Sequence, residues 1–326
     1  MKCIEQGKTT GGRNRLGGRN RLCGRSRPQG WAIRAALAAA VALVAAGSLY
    51  AGGRKTGGSQ PVTVISREDG SGTRSAFVEL FEVVDSDKKD DTTPAAEITN
   101  NTAVMMTSVA GDRNAIGYLS LGSLGSSVKA LKIDGAEANA ANIRSGAYTI
   151  ARPFYIAVRN DVSEAAKRFI AFMTSPEGQA IVSANGYLPL DAASSSSSSS
   201  SSVETSPRPP AGTRVIVAGS SSVTPLMEKL REAYIGKYPG VVIEIQQSDS
   251  STGINAAIDG ICDIGMASRT LRQSETDKGL QGIIIATDGI VVIVHRENPH
   301  DSLSREQVRA IYRGSVTDWN EVTGTE

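Results

Sequence analysis

Cysteine and histidine are scarce in this chain of 326 residues, with three of one and two of the other. Cys3 and Cys23 lie in a basic leader, so Cys262 is the single thiol of the body. One thiol excludes an internal disulfide framework, and no CxxC or Cys/His spacing offers a metal site. Cys262 lies in the apolar run Gly-Ile-Cys-Asp-Ile-Gly and reads as a small core residue. His295 and His300 both fall in the charged stretch HRENPH, which reads as a solvated turn. Hydrolysis needs a positioned base, and GxSxG, HExxH and GxxxxGKS/T are all missing from the sequence. Catalysis is the weakest reading of such a chain, and no cofactor or metal is expected.

Acid is missing from the first sixty residues, which carry eleven Lys/Arg against Glu5 alone. The remainder has 24 basic and 32 acidic residues, a net charge of −8. An acidic body argues against nucleic acid as a partner. The basic segment belongs with a membrane instead. Residues 35–51, AALAAAVALVAAGSLYA, form an uncharged run behind Arg34, the order of a secretory signal. Small residues near Ala46 and Ala51 offer cleavage sites, and no Cys follows the run to carry a lipid. As an uncleaved anchor the run would span about 25 Å, slightly short of a ~30 Å hydrocarbon core; starting at Trp31 lengthens it. In either case the basic side stays cytoplasmic. The body is then extracytoplasmic, periplasmic or at the cell surface, and tethered through residues 31–51 if the leader stays. The repeat GGRNRL (Gly11–Leu16, Gly17–Leu22) reads as an unstructured start in preference to a nucleic-acid-binding tail.

A second break in composition lies at residues 192–212, where Ser194–Ser202 are nine serines in a row, followed by VETSPRPPAG. This stretch has no apolar groups to bury and reads as a linker. It divides the body into 61–191 and 213–326. The second block opens with the strand VIVAG (Val215–Gly219) and the loop SSSVTP. A helix over LMEKLREAYIGK follows, with Thr224 as N-cap and Pro225 at the first helical position. The strand VVIEI (Val241–Ile245), the loop QQSDSSTG, a helix around Ile254–Ile258, and GIIIATDGIVVIVH come after it. The first block repeats the pattern: the strand VTVIS (Val62–Ser66), the loop REDGSGT, and the helix RSAFVELFEVV. NAIGYLSL, VKALKIDG, a strand pair around YTIARPFYIAVRN and a helix from Ser163 to about Met173 follow, with a turn at Asp134-Gly135. Strand–loop–helix alternation predicts an α/β fold with parallel strands.

Four segments rich in Ser, Thr and Gly recur at strand ends: Gly219–Ser222, Ser248–Gly253, Met266–Arg269 and Arg67–Thr73. Three of them lead into predicted helices. A helix N-terminus presents unpaired N–H groups and the positive end of the peptide dipole. Glycine lets the backbone approach an anion, hydroxyls add donors, and Arg67 adds a planar, permanently charged fork. Converging loops of this kind suit a tetrahedral oxyanion.

At these residues the sequence resembles a known family. AGSSSVTPLMEKL, SDSSTGINAAIDGICDIGMASR, IVHRENP and IYRGSVTDWNEV resemble the amino-terminal half of the phosphate-binding proteins of ABC transporters. SREDGSGTRSAF, AIGYLSL, VKALKIDG, YTIARPFYIAVRN and FMTSPEGQAIVSANGYLPL resemble the carboxy-terminal half. In the family the Ser-rich block comes first; here the order is reversed. The resemblance implies a two-lobed type II periplasmic-binding-protein fold with a hinge, in circularly permuted order. One lobe would combine 150–191 with 213–288, the other 61–149 with 290–326. It implies an anion held by Ser221 and Ser222, Ser250 or Ser251, Ser268, and Arg67, Ser71, Gly72 and Thr73. It further implies inorganic phosphate as ligand and an ABC-transporter permease as partner. In some members a carboxylate stands near the position of Ser268 and accepts the proton that phosphate retains. The text here is Ala-Ser-Arg, which weakens the case for phosphate over a fully ionised oxyanion such as sulfate. Asp69 is expected to pair with Arg67. An anion sensor or surface module uncoupled from transport is the rival function. A tandem-array fragment and a half-exchanging dimer are the rival topologies.

Overall fold

The computed structural model describes residues 58–190 and 212–322. The leader, with its signal or anchor, and nearly all of the Ser/Pro-rich linker lie outside the described residues. Within them, β1 (Thr63–Arg67), α1 (Gly72–Leu80), β2 (Glu97–Thr99), α2 (Thr102–Gly111) and β3 (Ala115–Ser120) follow in order. β1 lies between β2 and β3, parallel to both. The short strands β4 (Val128–Ala130) and β5 (Lys132–Ile133) and the helix α3 (Ala140–Ser145) complete this part. Asp134 and Gly135 both have positive φ, as a tight turn there requires.

β6 (Ala151–Arg159) is one strand, not the pair expected, because all nine residues pair with a single neighbour. α4 (Glu164–Thr174) follows, capped by Ser163, then α5 (Pro176–Ala184). After the linker come β7 (Arg214–Ser220), α6 (Thr224–Lys237), β8 (Val242–Ser248), α7 (Ser250–Ile258) and β9 (Ile264–Ala267). The N-cap of α6 is Val223, not Thr224. Val223 is already helical, and the Thr224 hydroxyl turns back to the Ser220 carbonyl, so Thr224 becomes the first helical residue. α7 starts four residues ahead of the expected Ile254, because the Asp249 carboxylate accepts from Thr252 N and caps it. The short helix α8 (Gln273–Thr276), β10 (Leu280–His295), β11 (Ser302–Leu303) and α9 (Arg305–Tyr312) follow, then a 3-10 turn at Trp319–Glu321.

The strand order is β2-β1-β3-β10-β6-β9-β7-β8, with β4 also on β10. β10 joins the two halves. Residues 280–289 run antiparallel to β6, and residues 290–295 run antiparallel to β3 and β4. Its stretch Ile290–Val294 is fully buried, as an apolar run at the centre of a two-sided sheet must be. Helices cover both sides and divide the core. One cluster gathers Phe154, Phe169, Val182, Val217, Leu226, Leu230 and Ile285. Another gathers Phe77, Phe81, Tyr118, Ile290, Val292, Ile311 and Trp319. In the second, the Phe77 ring stacks on Tyr118 at 3.9 Å between centroids. The result is a two-lobed α/β fold with a mixed, curled sheet.

Candidate functional site

Five strand ends meet where the lobes face each other, and each leads into a loop or a helix N-terminus. Ser71 caps α1 by accepting from Arg74 N, and Asn101 caps α2 by accepting from Val104 N. Asp249 caps α7. α6 differs: no side chain accepts at its N-cap, so its first-turn N–H groups have no internal carboxylate or hydroxyl standing over them. These ends converge because all are carboxyl ends of parallel strands, where α/β folds place ligands.

Arg67 anchors the cluster and is 1% exposed. Its Nε and Nη2 donate to the two oxygens of Glu68, each at 2.7 Å, a bidentate fork. The outer nitrogens also reach the opposite lobe's hydroxyls and its own: Nη2 donates to Ser221 Oγ at 3.1 Å and Nη1 to Thr102 Oγ1 at 3.4 Å. Thr102 lies 3.3 Å from both Ser221 Oγ and Ser222 Oγ. Thr73 Oγ1 lies 2.7 Å from Ser222 Oγ. On the other side, Ser268 N donates to Ser250 Oγ at 3.0 Å, and Ser220 Oγ donates to Ser268 Oγ at 3.0 Å. Ser251 N donates to the Gly70 carbonyl at 3.2 Å. A Cβ on Gly72 would strike Ser250 Oγ and stand 2.7 Å from Ser268 Oγ, so only glycine allows this approach.

The structure thus brings together all nine residues expected from the sequence. Arg67, Ser71, Gly72, Thr73, Ser221, Ser222, Ser250 and Ser268 are buried, and Ser251 is half-buried at the edge. The expected partner of Arg67 is corrected. Asp69 bonds Arg74 at 3.0 Å and its side chain is 99% exposed, while the adjacent Glu68 takes the fork. Two further residues join the cluster. Thr102 was signalled only by Asn-Asn-Thr ahead of the apolar TAVMM. Arg269, in the Ala-Ser-Arg text, is buried; it donates to Ser251 Oγ at 3.2 Å and forks onto Glu275. Burial pushes the Glu275 carboxyl up, but hydrogen bonds from Arg269 and Arg272 N outweigh it and hold the group below its usual range.

Chemically this is a pocket of donors. Hydroxyls donate or accept, guanidinium groups only donate, and the nearby carboxylates are already engaged, Glu68 and Glu275 by arginines and Asp249 by Thr252. Among the described residues no cluster of His, Cys, Asp and Glu suits a metal ion. His300 is half-buried and stacks on Trp319 at 5.1 Å, at the margin of the second cluster.

Two lobes of α/β structure that close hydroxyl-rich helix N-termini and a buried arginine onto one another define a binding protein of the periplasmic type. The model of the PBP superfamily domain matches residues 39–177 and 203–326. The Phosphate-binding protein PstS 2 of Streptococcus agalactiae is 49% identical over 267 residues, 80% of this chain and 88% of that protein. The Phosphate-binding protein PstS of Staphylococcus haemolyticus is 32% identical over 114 residues, 33% of this chain and 36% of that protein. The crystal structure of a phosphate-binding protein of a phosphate ABC transporter from Streptococcus pneumoniae superposes with a TM-score of 0.59. It is 38% identical and covers 81% of this chain and 100% of its own. The chain belongs to the phosphate-binding proteins of the PBP superfamily.

Proposed function

We propose that this chain captures inorganic phosphate outside the cytoplasm and hands it to the permease of an ABC transporter. The observation that carries this reading is Arg67. A guanidinium so buried is held in place by Glu68 and aimed at Ser221 and Thr102, between helix N-termini from both lobes. The ligand set is Arg67, Ser71, Gly72, Thr73, Ser221, Ser222, Ser250, Ser251 and Ser268, with Thr102 added. Phosphate keeps a proton and can donate a hydrogen bond as well as accept them. Serine and threonine oxygens can accept it, whereas sulfate brings no such donor. The names of the streptococcal relatives point the same way.

Lobe one comprises 150–191 and 213–288, and lobe two 61–149 and 290–326. We take the block order to be one of two in the family. A single alignment that preserves sequence order runs through both blocks of the S. agalactiae relative. With the staphylococcal relative the alignment covers only 33% of this chain. The leader supports an extracytoplasmic place, secreted or tethered.

Calorimetry of the purified body tests the ligand. Phosphate is expected to bind, and sulfate at least about tenfold more weakly, with molybdate as a third arm. Equal affinity for phosphate and sulfate would reassign the site to oxyanions in general, and no heat with any of the three would sink the reading.

A further inference from the structure

Where β10 passes from lobe one to lobe two it carries a carboxylate, Asp288, that is 1% exposed. Asp288 stands directly opposite Arg152 in the β6–β10 register. Gly289 closes that register, and Ile290 opens the next one, opposite Ser120 of β3. Asp288 Oδ2 accepts from Arg152 Nη2 at 3.3 Å, and Oδ1 accepts from Ser120 Oγ at 2.8 Å. Arg152 Nη1 donates to the Ser268 carbonyl at 3.0 Å. Ser268 in turn gives its N–H to Ser250 and its Oγ to the bond from Ser220. One line of bonds therefore runs from a strand end of lobe two, through the seam, to a binding loop of lobe one.

Stability does not account for an ion pair in such a place. Replacing a buried pair by apolar groups is often neutral or stabilising, whereas a planar guanidinium fixes directions. Arg152 Nε has no hydrogen-bond partner, so the two Nη bonds and the Phe154 ring, 5.5 Å from the guanidinium carbon, orient the group. Burial, opposed by Arg152 and Ser120, pushes the Asp288 carboxyl up to about 6. Burial, opposed by Asp288 and reinforced by the nearby Arg67, brings Arg152 down to about 10. Tyr148 and Tyr187 also face Asp288, whose charge adds to burial in raising their phenols.

We propose that Arg152 and Asp288 are positioning residues for the anion site, holding the backbone of Ser268 in register with lobe two. Ser268 then presents its hydroxyl correctly only when the lobes are seated on each other. This rests on the reading of the site given above and adds residues whose side chains lie behind the ligand-facing hydroxyls.

The test is a double-mutant cycle on the full chain, titrated with inorganic phosphate. The proteins are the native chain, Ser268→Ala, the paired change Arg152→Met with Asp288→Asn, and all three together. The paired change removes both charges and leaves neither orphaned. It is expected to weaken phosphate binding by roughly 10- to 100-fold while keeping a cooperative melt. Ser268→Ala is then expected to weaken binding by a factor at least about threefold smaller in the paired background than in the native one. A merely structural role would lower the melting temperature without that coupling. Additive effects, or a paired variant within about threefold of native affinity, overturn the proposal. If the paired variant does not fold, Ser120→Ala cuts the line at its lobe-two end. It should weaken binding several-fold and show the same non-additivity with Ser268→Ala; additivity there also overturns it. A native chain that binds no phosphate sinks the functional reading itself. A native chain that binds, with an additive cycle, sinks only the positioning role.

Discussion

Arg67 shows how one guanidinium divides its work. The fork to Glu68 fixes its plane, and the bonds to Ser221 and Thr102 aim it into the cluster. Arg67→Ala should weaken phosphate binding by about 2–4 kcal/mol, roughly 30- to 1000-fold, since a buried charge-assisted contact is lost. Calorimetry reads this directly, and a variant within about threefold of native would remove Arg67 from the ligand set. The place of Arg67 in the cluster was legible in RxDGSGT, because arginine beside glycine and hydroxyls ahead of a helix has an anion-binding logic. Its partner was not. Which of two adjacent acids turns inward depends on loop dihedrals, and the turn sends Glu68 in and Asp69 out. Asp288 makes a separate prediction about pH. Its folded carboxyl titrates at about 6 against an ordinary 3.8. A raised carboxyl keeps its proton in the folded state after the unfolded chain has released it. Its contribution to stability is therefore full below about pH 4 and is lost as pH rises through about 6. Relative to Asp288→Asn, the native chain should gain up to roughly 3 kcal/mol as pH falls from 7 to 4, measured by urea unfolding. A constant difference across that range would show that Asp288 titrates normally.

Among elements, the strands and the strand–loop–helix units were readable where periodicity and capping agreed. β1, β7 and α6 run close to their expected limits, and Leu226, Met227, Leu230 and Tyr234 face the core as the pattern of α6 requires. α2 was missed because TAVMMTSVAG is apolar on most sides and shows no polar stripe to set a helical period. With it went Thr102. β6 was expected as a strand pair but runs unbroken through Pro153, which sits near one end of the strand's pairing with β10. The N-terminus of α1 gives the prediction at this scale. Gly72 is the first residue of the helix and has no need of a left-handed backbone, so Ala there suits the helix itself. What Ala does not suit is the opposite lobe, where its Cβ meets Ser250 and Ser268. Gly72→Ala should therefore weaken phosphate binding by about tenfold or more, as the facing loops move to admit the Cβ, measured by calorimetry. An unchanged affinity would mean that the lobes need not approach so closely to hold the anion.

At the scale of the whole molecule, the chain crosses between lobes twice, near Ile150–Ala151 and at Gly289–Ile290. The two ends of the described chain meet. Val62 N donates to the Thr317 carbonyl, Trp319 N donates to the Gln60 carbonyl, and Pro61 bridges Asp318. Neither block closes a sheet by itself. β1–β3 need residues 290–295 of β10, and β9, β7 and β8 reach β10 only through β6. If the two blocks of one chain complete each other, the body is one cooperative unit; a tandem-array fragment or a half-exchanging dimer would not behave so as a monomer. Residues 58–326, as a monomer, should unfold in a single transition, while 58–190 and 212–326 made separately should not fold. Phosphate at a hundred times its dissociation constant should add about 2.7 kcal/mol, a rise of roughly 5–10 °C for a body of this size. The rise should not depend on protein concentration, because no second chain is needed to complete the site. Two separate transitions, or phosphate binding only by a dimer, would show that the blocks of one chain do not complete each other.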